Sequence, residues 1–221
     1  MRRIKWLIVS LAVAALPMCG AHKGRDLAPI ALYTQFVQVP SAAVFDAMQR
    51  EVESIMSPMD LRFRWKNLAD ATGREASAEL AVADFPGRCD VKGLVARDLN
   101  PGPLGWTHIS DGVILPFATI DCSAVRSFIQ RELLDVNAES REEVFGRALG
   151  RVLAHELYHI FANTTRHGSD GVAREFYSVR DLISPTFQFE GRESLALLHS
   201  RTHARLANPL IPVDGDDTER H

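Results

Sequence analysis

The sequence predicts an α+β fold, a mixed twisted sheet packed on helices, one of which is long and carries the chemistry. Three observations predict it. Short runs rich in β-branched and aromatic residues alternate with amphipathic stretches of helical period. An Asp111-Gly112 pair separates two apolar runs, the pattern of a hairpin turn. An apolar stripe of period 3.6 runs from Ser140 into His155-Glu156-Leu157-Tyr158-His159.

A chain of 221 residues, 46% hydrophobic and without charge blocks, suits one globular domain with a sizeable core, expected over 22–208. The formal charge of -3, with no basic cluster interleaved with aromatics, gives no footprint for nucleic acid.

Residues 1–21 read as a signal peptide: Arg2, Arg3 and Lys5 precede an apolar run from Trp6 to Met18, and small residues follow to Ala21. That run is short for a membrane span, so a secreted or periplasmic protein without a stable anchor is expected. Cys19 allows lipoprotein anchoring, although Met18 is large where a small residue is wanted, and the paired arginines also allow the twin-arginine route. Removing the segment would take the charge from -3 to -6 and leave two cysteines, Cys89 and Cys122. In an oxidising compartment that pair reads as a possible disulfide, with two buried thiols as the alternative.

The elements follow in order. Ala31 to Val39 is a first strand ending at Pro40. Ser41 caps a helix whose buried face is Val44, Phe45, Met48, Val52 and Ile55, and which stops before Pro58. Leu61 to Lys66 alternates apolar and basic residues as a half-buried strand, and Glu79 to Phe85 is a third. Gly93 to Gly105 reads as loop. Leu104 to Ile109 and Val113 to Ile120 form the hairpin, in which Pro116 demands an end, a bulge or an edge. Asp121 caps a helix carrying Val125, Phe128, Ile129 and Leu133. Ser140-Arg141-Glu142-Glu143 has the form of a capping box opening the long helix, and Asn163 can take the left-handed conformation that ends it. After a polar segment, Arg192 to Leu206 is a terminal helix, and 209–221 an acidic, loose tail.

The chemistry rests on the spacing of His155 and His159. Four residues apart on a helix they lie one above the other, so both imidazoles reach one metal ion, the zinc pattern HExxH. A catalytic zinc site takes three protein ligands and keeps a fourth position open, so another donor is needed. His167 follows the helix end with room to turn back; Asp170 and Glu175 are the fallback ligands. Glu156 points off the adjacent helical direction, where it suits a general base acting on a zinc-bound water during peptide-bond hydrolysis. His199 and His203 share the same spacing, but no carboxylate follows the first, and an exposed helix face is expected there. His108, in the first hairpin strand, suits cleft and core equally.

This order of elements, with HExxH on a long helix, resembles the metzincin-type zinc metallopeptidases. His159, seven intervening residues, then His167-Gly168-Ser169-Asp170-Gly171-Val172 resembles a group of exported bacterial zincin-like proteins. The resemblance implies His155, His159 and His167 as zinc ligands and Glu156 as base. It also implies that the strand Leu104 to Ile109 binds a substrate backbone by strand addition. Two features depart from the metzincin pattern. Ala162 and Thr165 stand where its glycine and third histidine fall, and Ala173 stands where a methionine under the metal is expected. Tyr177 is a possible oxyanion donor, with packing as the competing role.

The reading is an exported zinc metallopeptidase with one zincin-like catalytic domain, expected to be a monomeric endopeptidase acting on peptide or protein substrates. Its alternative is a catalytically weak or inactive zinc-containing binding or structural protein of the cell envelope. A secreted domain that binds no metal is the third possibility.

Overall fold

Ser41 accepts a hydrogen bond from the Val44 amide and so starts the first helix where the sequence puts it. That helix, α1 (Ala42–Met56), buries Val44, Met48, Val52 and Ile55 completely, at the spacing one apolar face requires. Pro58 cannot continue it, and a single 3-10 turn (Ser57–Met59) leads to Asp60 in the left-handed region. The computed structural model describes residues 29–73, 77, 79–95 and 102–207, the side chains of 201–207 excepted. The expected signal segment, Cys19 and the acidic tail lie outside the described residues. Among the described residues no helix is long and apolar enough to cross a membrane.

The sheet has five strands: β1 (Ile30–Phe36), β2 (Phe63–Asn67), β3 (Leu80–Phe85), β4 (Gly105–Ser110) and β5 (Val113–Ile120), in the spatial order β2-β1-β3-β5-β4. β1 pairs in parallel with both β2 and β3, β3 pairs in parallel with β5, and β4 alone runs antiparallel, at the edge. The first strand ends at Phe36, three residues short of the expected Val39, because β3 runs out of partners at Phe85.

Pro116 takes the bulge. The β4–β5 register shifts between Thr107 and Ile109, so His108 stands opposite the stretch that holds Pro116, and pairing of β5 to β3 begins only at Phe117. The proline therefore sits where neither neighbour asks it for a donor. Asp111 and Gly112 both adopt positive φ and close the hairpin as expected.

Four further α-helices follow among the described residues. In α2 (Cys122–Asp135) Asp121 is the N-cap, its side chain accepting from the Ala124 amide. Cys122, at the first position of α2, is bonded to Cys89, which ties the segment after β3 to the helix after β5. The long helix α3 (Arg141–Phe161) packs on α1 and on strands β4 and β5. A Cβ on Gly146 would meet Ala47 Cβ at 2.7 Å, and one on Gly150 would meet Met48 O at 2.8 Å. These two glycines let α1 and α3 approach almost backbone to backbone. Phe145, Leu149, Val152 and Leu153 are buried beside them, each contributing roughly 1.5–3 kcal/mol of apolar burial.

The capping box expected at Ser140 is not formed. Ser140 itself has helical dihedrals and no side-chain cap bond; its amide is held instead by the side chain and carbonyl of Asn137. The reciprocal box occurs later, between Ser178 and Asp181, opening the short helix α4 (Val179–Ile183) inside the segment expected to be only polar. Asn163, at φ 48°, ends α3 as expected. The terminal helix is α5 (Gly191–Ala207).

Candidate metal centre

The C-terminal half of α3 is buried on nearly every face, Val152 to His159 without interruption. A helix so enclosed holds its side chains in single rotamers, which a metal site needs. Four residues before His155, Arg151 is completely buried and bonds Glu51 Oε1 at 2.7 Å, Asp181 O at 2.5 Å and Ser184 O at 2.7 Å. Its guanidinium lies over the Phe187 ring. One side chain thus fastens α1, α3 and α4 together directly behind the histidines.

His155 and His159 are both 7% exposed. His155 donates from Nδ1 to Val172 O at 2.8 Å, and His159 donates from Nδ1 to Thr164 O at 2.7 Å. A carbonyl can only accept, so both protons sit on Nδ1 and both Nε2 atoms carry lone pairs. Those two nitrogens face one another at 3.0 Å. In the neutral rings two lone pairs at that distance repel, and a shared proton or a metal ion relieves the repulsion; the outer hydrogen bonds that orient a metal-binding imidazole are already made.

His167, exposed on the loop after α3, brings its ring to 5.2 Å from that of His155 and 4.8 Å from that of His159. One ligand atom from each of the three histidines lies within 4.8 Å of the others, a set that fits one ion. Among the described residues this is the one such cluster, and neither Asp170 nor Glu175 belongs to it. Burial holds His155 well below its ordinary range, at about 3, with the neighbouring histidines adding to the effect. Burial also lowers His159. Both rings are neutral at physiological pH, the form in which imidazole binds a metal.

Glu156 is 5% exposed and lies against the edge strand. Thr107 of β4 donates its hydroxyl proton to Glu156 Oε2 at 2.8 Å. Burial pushes the carboxyl up to about 7, against the opposing effect of that hydrogen bond. A carboxyl that titrates near neutrality both accepts and returns a proton at working pH. Gly105 permits the close approach: a Cβ there would lie 2.8 Å from Val152 Cγ1 and 3.2 Å from Glu156 Oε1.

A cleft of about 640 Å³ opens between β4 and α3, lined by residues 102–107 of the strand and its approach, by the three histidines and Glu156, and by Glu175, Phe176 and Tyr177. Tyr177 points its hydroxyl at Val172 O, the same carbonyl that receives the His155 proton, and stands edge-on to the His155 ring at 5.5 Å. Its phenol is raised well above the usual range, by burial first and then by the Glu156 charge. In this arrangement its proton is committed to the loop, and its ring packs.

The remaining candidates fall elsewhere. His108 bonds Thr119 at 2.9 Å and does not line the cleft. His199 is exposed on α5, and the side chain of His203 lies outside the described residues. Cys89 and Cys122 form the expected disulfide. Sequence reasoning did not find Thr107, Arg151 or the carbonyls of Thr164 and Val172. Of these only Arg151 left a signal, a charge four residues before His155 inside an apolar stripe.

No family model matches the sequence, and no curated protein does. Among solved structures the chain is similar to the crystal structure of archaemetzincin from Methanopyrus kandleri, at 12% identity and a TM-score of 0.46. The similarity covers 79% of this chain and 96% of that one. The chain has a mixed α+β fold, with a twisted sheet packed against helices and a three-histidine cluster able to hold a metal ion.

Proposed function

We propose that the protein is an exported zinc-dependent metallopeptidase, with His155, His159 and His167 as the ligands and Glu156 as general base. The observation that carries this reading is the cluster itself: three convergent imidazoles beside a buried, Thr107-held carboxyl, at the floor of a cleft walled by an open strand edge. Zinc bound there would supply Lewis acidity, polarising a peptide carbonyl and acidifying water. Glu156, held by the Thr107 hydroxyl beside the three imidazoles, would take the proton of the attacking water and pass it to the leaving amine. The outer edge of β4 offers unpaired backbone groups to an extended peptide, which would lie antiparallel in the cleft.

The deciding experiment measures zinc content and peptide cleavage in wild type and Glu156→Gln. Zinc retained in both with cleavage lost in the variant is the expected result; cleavage unchanged in the variant removes Glu156 from the mechanism. A second reading, a zinc-containing binding protein of the cell envelope, is favoured by the buried Ala173 where a methionine is expected under the metal. Wild type that holds zinc but cleaves nothing across a broad peptide library selects it.

A further inference from the structure

His155 and His159 are fixed by the long helix, but His167 rides on a loop, and something must set its position. The turn that follows it closes on itself: Gly168 donates its amide to Ala173 O at 2.8 Å, and Val172, inside the same turn, accepts the His155 proton. Against the back of this turn lies Glu193. The residue is 8% exposed, in the first turn of α5, where free backbone amides favour a carboxylate. A Cβ on Gly168 would stand 2.9 Å from Glu193 Oε1 and 3.0 Å from its Cδ. The carboxylate therefore fills the space a side chain at position 168 would need.

We propose that Glu193 is a positioning residue for the third ligand: wedged against Gly168, it holds the ligand loop at the distance that lets His167 meet the other two imidazoles. The inference rests on the three-histidine metal site. It assigns α5 a role the ligand motif does not contain, and it explains a glycine directly after His167 by what stands behind it rather than by a backbone conformation.

The test is a zinc affinity series on the full chain, by competition with a chromophoric chelator, with the absorption spectrum of the cobalt-loaded protein as a second readout. Glu193→Ala should weaken zinc binding about 10-fold and alter the cobalt spectrum with circular dichroism unchanged, a loss of the size found when outer-shell support is removed. Glu193→Gln, which keeps the shape, should stay within about 2-fold of wild type by the same reasoning. Gly168→Ala should bind as weakly as Glu193→Ala, and the double variant no more weakly than either, because the methyl then enters the space the carboxylate has left. Wild-type affinity in Glu193→Ala, or losses that multiply in the double variant, overturns the proposal and leaves the metal site standing. A wild type that takes up no zinc overturns both. Should Glu193→Ala not fold, Gly168→Ala decides alone, and wild-type affinity in that variant overturns the wedge.

Discussion

The hydroxyl of Thr107, on the edge strand, donates to the carboxyl of Glu156, on the long helix, at 2.8 Å, and also reaches the Glu156 carbonyl at 3.1 Å. The wall of the cleft and the buried carboxyl on its floor are thereby one unit. Thr107→Val keeps the shape and removes the donor, so peptide cleavage should fall about 10-fold or more, the worth of one hydrogen bond to a charged group. Zinc content should not change. Steady-state kinetics beside metal analysis checks this, and an unaltered kcat would show that Glu156 needs no such support.

Burial of Glu156 has a cost that depends on pH. Its carboxyl is raised to about 7 in the folded protein, so between its unfolded range near 4.5 and that value the native state holds more protons than the unfolded one. The Glu156 contribution to the stability of the metal-free protein should thus decline as pH rises across this window and level off above it, against the rise that the lowered His155 and His159 bring over its lower part. Glu156→Gln removes this contribution and should be more stable than wild type at pH 8 by roughly 3 kcal/mol, with little difference at acid pH. Urea unfolding in chelator at both ends of the window reads the effect; parallel curves would refute it.

Each ligand should be needed for tight binding. His155→Ala, His159→Ala and His167→Ala should each lose stoichiometric zinc, and the losses at 155 and 159 should be the deeper because those rings arrive already hydrogen-bonded through Nδ1. Elemental analysis after dialysis is the measurement. Undiminished zinc in His167→Ala would remove that residue from the set.

Arg151→Met should destabilise the fold by roughly 3 kcal/mol, because it leaves the partly buried Glu51 carboxylate only its longer contact with Arg147, at 3.9 Å, and frees the carbonyls of Asp181 and Ser184. Thermal unfolding checks the size. A loss below about 1 kcal/mol, the level of an exposed pair, would mean that the clamp contributes little.

The disulfide closes a separation of 33 residues that contains the whole β4–β5 hairpin. Replacing both cysteines by alanine should cost about 3–4 kcal/mol by the chain-entropy relation, and should expose the hairpin to protease before the α1–α3 core. Limited proteolysis with and without reductant distinguishes this from a uniform loss of stability.

What could be read from the residues was whatever leaves a period or a local cap. Val44, Met48, Val52 and Ile55 announce α1, Ser41 and Asp121 start their helices as expected, and the spacing of His155 and His159 announces two imidazoles close enough to share an ion. Ser140 misled because Asn137, three residues upstream, supplies the same hydrogen bond and draws Ser140 into helical dihedrals. The support of the site was not legible at all. Val172 O and Thr164 O are backbone atoms with no side-chain signature, and Thr107 meets Glu156 only because the chain brings β4 to the edge of a sheet whose strand order no local pattern encodes.

The bulge opposite Pro116 has a last consequence, for the behaviour of many copies in solution. An exposed edge strand carrying Trp106 and Ile109, 43% and 52% exposed, is the kind of surface on which chains stack sheet to sheet into aggregates. Here regular pairing breaks just after Thr107, so the straight stretch of edge is confined to Gly105, Trp106 and Thr107, directly beside Glu156. Pairing along this edge is therefore interrupted after three residues, which disfavours extended stacking of copies.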